Sequence, residues 1–197
     1  MVFDPTYPSI DNDDFPRHDW KKHYGEVKEV IPTNAPSSQG KGFDMIGYVD
    51  ADLAGDKVIR RSRTGFVIYL NQEPIYWFSK QQNGVECSTF RSETFAMNQY
   101  CEYVRGLWYK LRMMGIPVIG CLFMYGDNQS ILCNTYIPDS TLNKKNHAIA
   151  YHFVREGVAR KEWVTGYVKS ENNSADPLTK IIPAGEIRDW LVGHYLY

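Results

Sequence analysis

Residues 43–52 have the sequence FDMIGYVDAD, an apolar stretch rich in β-branched and aromatic residues that predicts a β-strand. Two more strands are predicted at residues 65–70 (GFVIYL) and 75–80 (IYWFSK). A polar loop joins the first two strands, and the turn sequence NQEP at residues 71–74 joins the second and third. Connections of this kind favour an antiparallel meander of three strands.

The longest predicted element is a helix over residues 88–114. Ser88 and Thr89 are candidate N-cap residues, and Gly115 with Pro117 ends the helix. Its apolar side chains recur at helical spacing and predict one buried face, made of Met97, Cys101, Val104, Trp108 and Leu111.

The rest of the chain alternates between strands and helices. The predicted elements are a strand at 121–127, a short helix at 128–136, a helix at about 144–161, a strand at 162–169 and a helical region at 175–196 that is interrupted near Pro183–Gly185. A meander followed by helix-linked strands predicts an α/β fold. Its sheet would be mixed and five-stranded, with three antiparallel strands, then parallel strands, and helices on its faces.

Two regions of different character divide the chain. Residues 1–42 contain five prolines that interrupt any long element, so we expect an extended N-terminal arm with at most short local structure. Residues 43–197 carry the regular pattern and are expected to form one domain.

The overall composition is that of a globular protein, with 43% hydrophobic and 14% aromatic residues. The formal net charge of −1 produces no global field that would attract nucleic acid, so any such binding requires a local basic patch. The four cysteines show no CxxC pair and are expected to be reduced structural thiols. No apolar run approaches the roughly 20 residues of a membrane span, so we expect a soluble, intracellular protein without membrane contact.

Four acidic residues lie at the ends or edges of the predicted elements: Asp50, Glu93, Asp127 and Asp176. Asp176 has an ordinary alternative as a helix N-terminal acid, and Asp127 has one as a helix cap. Glu93 has another as a first-turn residue turned toward solvent. Asp50 shares a strand face with Ile46, where an ionised carboxylate is unfavourable unless it is paired or metal-bound.

Taken together, the four acids predict a metal site. Parallel pairing of the first and fourth strands would place Asp50 beside Asp127, and the two helices would bring Glu93 and Asp176 to the same place. Oxygen-only ligands favour hard ions such as Mg²⁺ or Mn²⁺. Two such ions about 3.5–4 Å apart can activate a water and stabilise the leaving oxygen of a phosphodiester.

At these residues the sequence resembles the ribonuclease H region of copia-type LTR retrotransposon polyproteins. The similar stretches run in order: GYVDADLAGDKVIRRSRTGF (47–66), PIYWFSKQQNGVECSTFRSETFAM (74–97), YKLRMMGIPV (109–118), YGDNQS (125–130), IPDSTLNKKNHAIAYHFVRE (137–156) and NNSADPLTK (172–180). The segment DWKKHYG at 19–25 is similar to the connection that joins reverse transcriptase to this domain. The resemblance implies a ribonuclease H-like fold.

The resemblance also implies a DEDD active site with two Mg²⁺ or Mn²⁺ ions, in which Asp50, Glu93, Asp127 and Asp176 are both the catalytic residues and the metal ligands. There are three departures from the family pattern. Gly126 replaces the cysteine of a CDN motif, and His147 is displaced by one position. The stretch VKSENNSAD at 168–176 lacks the histidine that cellular ribonucleases H carry before the last aspartate.

The predicted nucleic-acid contacts are Arg61, Ser88, Thr89, Arg91, Asn128 and Gln129. A helix N-terminus at Ser88 and Thr89 would offer N–H groups to a phosphate. Asn128 and Gln129 are amides suited to minor-groove hydrogen bonds, although helix capping is an alternative for Asn128. For each basic residue, a solvated surface charge is the ordinary alternative.

The leading hypothesis is therefore an endonuclease that cuts the RNA strand of RNA–DNA hybrids during reverse transcription. The expected partners are the hybrid and the reverse transcriptase region of the same polyprotein, in a cytoplasmic virus-like particle. One alternative is a non-catalytic module that binds hybrid or tethers the polyprotein. Another is a metal nuclease of the same superfamily that cuts DNA.

Overall fold

The computed structural model describes residues 18–26, 31–56, 58–140 and 148–180, together with Ile182, Gly185, Asp189 and Gly193. The strands are β1 Met45–Asp52, β2 Arg63–Leu70, β3 Glu73–Gln81, β4 Leu122–Gly126 and β5 Trp163–Tyr167. The helices are α1 Lys21–Tyr24, α2 Thr89–Met113, α3 Gln129–Tyr136, α4 Ala148–Ala159 and α5 Asp176–Thr179, with a 3₁₀ helix at Ser170–Asn172.

The five strands form one mixed sheet in the order β3-β2-β1-β4-β5. The meander of β1, β2 and β3 is antiparallel, whereas β4 pairs in parallel with β1 and with β5. This arrangement confirms the predicted fold class. Strand ends differ from the prediction by one or two residues, and Pro74 is accommodated because β3 is an edge strand.

Helix α2 covers one face of the sheet and builds the main core. Its buried side chains include Tyr100 and Val104, which pack with Met45 and Val49 of β1. Gly47 lies between Met45 and Val49 in β1, and a Cβ on Gly47 would come 2.1 Å from the Tyr100 hydroxyl oxygen. Glycine is therefore required for α2 to lie this close to β1.

The part of the arm that the structure describes packs against the domain. The Tyr24 hydroxyl is 2.7 Å from Nδ1 of His152 in α4, and the Arg155 guanidinium lies 5.2 Å from the centre of the Trp20 ring. His152 therefore has a structural contact with the arm. The division of the chain into an arm and a domain at residue 42 stays a prediction.

Several sequence predictions fall on residues outside the described set. These are the conformation of residues 1–17 and 27–30, the start of the helix predicted at 144, the position of His147, and most of the helical region predicted beyond residue 180. Among the helices that the structure describes, none combines the length and apolar character needed to cross a membrane.

Candidate active site

Two neighbouring parallel strands deliver the first two acids. Tyr48 of β1 is paired with Tyr125 of β4. Asp50 follows Tyr48 by two positions, and Asp127 follows Tyr125 by two positions. Because both strands run in the same direction, their carboxyl ends meet at one edge of the sheet. Asp50 faces α5 and is only 4% exposed, whereas Asp127 is partly exposed.

The short helix α5 delivers the third acid. Asp176 is its first residue, and Pro177 follows it. One carboxylate oxygen from each of Asp50, Asp127 and Asp176 lies within 4.8 Å of the others. Three acids that are far apart in the chain are thus brought into one cluster, which we call the acidic cluster.

Glu93 lies next to the acidic cluster but is not a member of that three-residue grouping. It belongs to the first turns of α2, is 7% exposed, and accepts a hydrogen bond from the backbone N–H of Ala51. Burial, followed by the charges of Asp50 and Asp127, raises the pKa of Glu93 to about 9. In the absence of a cation, its carboxyl group is therefore protonated at neutral pH.

Asp50 is also shifted toward its neutral form. Burial is the main cause, and the charges of Asp127 and Asp176 add to it, so that its pKa rises to about 6. A hydrogen bond from the Thr179 hydroxyl and the positive charge of Lys180 act in the opposite direction. Burial and the two neighbouring carboxylates together outweigh these effects, so the neutral form of Asp50 is favoured relative to a free aspartate.

Lys180 brings a positive charge to this site. Its ammonium group contacts Oδ1 of Asp176, one helical turn earlier in the chain. Burial lowers the pKa of Lys180, but the hydrogen bond and charge of Asp176, with the charges of Asp50 and Asp127, outweigh burial and raise it.

An open cavity of about 410 Å³ surrounds these groups. Asp50, Glu93, Asp127 and Lys180 line it, and so do three of the predicted nucleic-acid contacts, Thr89, Asn128 and Gln129. The capping alternative for Asn128 is confirmed, because its side chain caps α3 by accepting a hydrogen bond from Ile131 N–H. Its contact with nucleic acid stays a prediction.

The other three predicted nucleic-acid contacts do not line the cavity. Arg61 is exposed on the loop after β1. Arg91 forms an ion pair with Glu86, with 3.1 Å between Nε and Oε2. Ser88 is the N-cap of α2 by its backbone, but its hydroxyl makes no capping hydrogen bond.

Four polar residues around the acidic cluster were not predicted from the sequence as part of the site. They are Ser170, Asn173, Thr179 and Lys180. The spacing of Lys180 four residues after Asp176 is a usable signal, because such pairs lie on one helix face. The contacts of the other three depend on residues more than 40 positions away in sequence and had no local signal.

The chain has clear relatives among known proteins. It is 32% identical over 144 residues to the retrovirus-related Pol polyprotein from transposon RE1 of Arabidopsis thaliana, a match that covers 72% of this chain and 10% of the relative. It is 32% identical over 177 residues to the corresponding polyprotein from transposon TNT 1-94 of Nicotiana tabacum, covering 83% and 13%. Its homologues are thus copia-type Pol polyproteins of plant transposons.

The chain spans only about a tenth of the length of the polyproteins that it matches. No protein-family model matches it. Its fold is similar to that of LC11 ribonuclease H1 solved in complex with an RNA/DNA hybrid, with a TM-score of 0.54, 16% identity, and coverage of 68% of this chain and 93% of that protein. The fold is therefore ribonuclease H-like, as the resemblance implied.

Proposed function

We propose that this chain is a metal-dependent endonuclease that hydrolyses the RNA strand of RNA–DNA hybrids during retrotransposon reverse transcription. The observation that carries the proposal is the acidic cluster, in which three aspartates from separate elements lie within 4.8 Å of one another. Two of them, Asp50 and Asp127, line an open cavity together with a fourth acid, Glu93. Carboxylates held this close together, one of them buried, are unfavourable unless a cation compensates them.

The donor set fits hard divalent cations. Asp50, Glu93, Asp127 and Asp176 offer carboxylate oxygens, the ligands that Mg²⁺ and Mn²⁺ prefer. Burial first, and then the neighbouring acids, raise the pKa values of Asp50 and Glu93, and a bound cation would favour the ionised form of both. When bound, two such ions would supply an activated water and stabilisation of the leaving oxygen.

The neighbouring residues are suited to hold a nucleic-acid backbone. Thr89 at the start of α2 and the exposed amide of Gln129 line the same cavity as the acids. Hydrogen bonds from such groups to phosphates and 2′-hydroxyls are the usual means of recognising an RNA strand. Of the predicted contacts, we therefore favour Thr89, Asn128 and Gln129 over Arg61, Ser88 and Arg91.

The relatives support the same function. The LC11 enzyme is a ribonuclease H1 that was solved with an RNA/DNA hybrid, and the Pol relatives are retrovirus-related polyproteins. Since the chain corresponds to a small part of those polyproteins, we propose that a reverse transcriptase region of the same polyprotein is its partner.

Cleavage of labelled RNA–DNA hybrid with Mg²⁺ or Mn²⁺, and with EDTA, tests the proposal. We expect metal-dependent cutting of the RNA strand only, and little cutting of double-stranded RNA or double-stranded DNA. Asp50→Asn and Asp127→Asn should remove most of the activity. Asp44→Asn is the matched control, because Asp44 is exposed at the opposite end of β1.

Each other outcome has a definite meaning. Salt-sensitive hybrid binding without turnover in any divalent metal would favour the non-catalytic binding module instead. Cutting of double-stranded DNA would favour the DNA-cutting nuclease. Equal cleavage with EDTA would exclude the metal-dependent reaction.

A further inference from the structure

A short connecting segment, residues 168–175, joins β5 to α5 and ends directly before Asp176. It contacts Asp127 and the residue that precedes Asp50. It begins next to Asp127, where the Val168 N–H donates to the Gly126 carbonyl over 2.9 Å. Two polar side chains of this segment, Ser170 and Asn173, make the contacts that concern the site.

Asn173 is the buried residue of the pair, with 3% of its surface exposed. Its Nδ2 donates to the Val49 carbonyl over 3.1 Å, and its Oδ1 accepts from the Ala175 N–H over 3.1 Å. A carbonyl partner requires the amide nitrogen and an N–H partner requires the amide oxygen, so the orientation of the side chain is determined.

The two partners of Asn173 have special positions. Val49 directly precedes Asp50, and Ala175 directly precedes Asp176. One side-chain amide therefore joins the backbone of β1 to the backbone at the start of α5, one residue before an acid on each side.

Ser170 contacts the third acid directly. Its hydroxyl donates to Oδ2 of Asp127 over 2.6 Å. Ser170 is exposed, so this hydrogen bond is not needed to satisfy a buried group. The segment thus contacts Asp127 through Ser170, and through Asn173 it joins the backbone positions directly before the other two acids.

We propose that Asn173 and Ser170 are positioning residues that hold the three aspartates at the spacing in which divalent ions bind. This inference rests on the proposed function, since the ions are those of the nuclease. The spacing of ligands matters because misplacement of reacting groups by about 1 Å can reduce a rate about 100-fold. Residues that orient metal ligands typically change metal affinity by about 10–100-fold when replaced.

Asn173→Ala and Ser170→Ala test the proposal, with Asn172→Ala as the matched control. Asn172 is an exposed asparagine next to Asn173. The first measurement is the Mn²⁺ concentration that gives half of the maximal thermal stabilisation, without substrate. The second is the spin coupling between bound Mn²⁺ ions, which depends on their separation. The third is the division of any loss of hybrid cleavage between kcat and KM.

We expect Asn173→Ala to raise the half-saturating Mn²⁺ concentration by about tenfold or more and to weaken the spin coupling. The loss of cleavage should lie in kcat, with KM for hybrid little changed. Ser170→Ala should act in the same direction, and Ser170→Thr should restore wild-type behaviour because it keeps the hydroxyl. Asn172→Ala should match the wild type throughout.

A folded Asn173→Ala variant with wild-type Mn²⁺ saturation and spin coupling would overturn the proposal. Should Asn173→Ala fail to fold, Ser170→Ala decides, and wild-type Mn²⁺ saturation in that variant overturns the proposal as well. Failure of the proposed function is distinguishable, because the wild-type protein itself would then not cleave hybrid, whereas the Mn²⁺ measurements on the variants do not depend on cleavage.

Discussion

The ammonium group of Lys180, the residue directly after α5, contacts the carboxylate of Asp176 at the start of that helix. This places a positive charge at the edge of a cluster that otherwise contains three aspartates. The side chain of Lys180 is half exposed, so its ammonium group has room to move into solvent. A divalent ion at Asp176 and the Lys180 ammonium would therefore compete for the same carboxylate.

The first prediction follows from this competition. Lys180→Met keeps an unbranched side chain of similar length but removes its charge. We expect a lower unfolding temperature than wild type in EDTA, because repulsion within the acidic cluster is no longer reduced. We also expect a larger stabilisation by Mg²⁺, with a lower half-saturating concentration. Thermal unfolding in EDTA and at increasing Mg²⁺ measures both.

Lys169→Met is the control for this experiment, because Lys169 is exposed and pairs with Glu171 instead. It should respond to Mg²⁺ as the wild type does. An identical Mg²⁺ response in Lys180→Met and wild type would contradict the competition.

The second prediction concerns pH. The pKa of Glu93 is about 9 in the folded protein against an ordinary 4.5, and that of Asp50 is about 6 against 3.8. The folded state therefore binds more protons than the unfolded state between these values. The stability that these two groups contribute is fully present below about pH 4, and it is lost as pH rises through 6 and then 9. Without metal, the free energy of unfolding should decrease by a few kcal/mol across this window.

Glu93→Gln identifies the contribution of Glu93, because the amide imitates the protonated acid and does not titrate. We expect the variant to be more stable than wild type at about pH 8.5 in EDTA and to show a shallower decline with pH. Denaturant titrations across the pH range measure this. Glu102→Gln, an exposed substitution on the same helix, should keep the wild-type slope; an unchanged slope in Glu93→Gln would refute the assignment.

The third prediction concerns the close contact between α4 and β5. A Cβ at Gly157 would lie 1.9 Å from Cζ2 of Trp163, a fully buried side chain. Gly157→Ala should therefore destabilise the protein by about 1–3 kcal/mol or more, as measured by denaturant unfolding. Gly106→Ala in α2 is the control, since a Cβ there meets no atom within 4 Å. It should stabilise the protein by about 0.5–1 kcal/mol, and similar destabilisation by both substitutions would argue against the clash.

The fourth prediction concerns thiol reactivity. All four cysteines are free, Cys87 is exposed and Cys101 is fully buried. Burial raises the pKa of the Cys101 thiol well above its ordinary value. We expect an alkylating reagent to modify Cys87 in the native protein and Cys101 only after unfolding, as detected by mass spectrometry. Rapid native labelling of Cys101 would show that α2 is not packed on the sheet as described.

The arrangement of the sheet could be predicted because its signals are local. Runs of apolar residues such as 65–70 and the helical spacing from Met97 to Leu111 identify each element within a few residues. The order of those elements, with short connections first and helical connections afterwards, then restricts the sheet to a mixed one. Glu93 could be placed on the buried side of α2 for the same reason, since helix periodicity relates it to Met97.

What the sequence determined by itself was the identity of the elements and the acids that they carry. Only the tertiary structure decided that three of these acids lie together and that Glu93 stands next to them. It also decided that Lys180 contacts Asp176 and that Ser170 contacts Asp127. Asn173 contacts the residue before Asp50. Local patterns depend on neighbours a few residues apart. The charge and spacing of the site, in contrast, depend on contacts such as Asn173 with Val49, 124 positions apart, which form only when the chain folds.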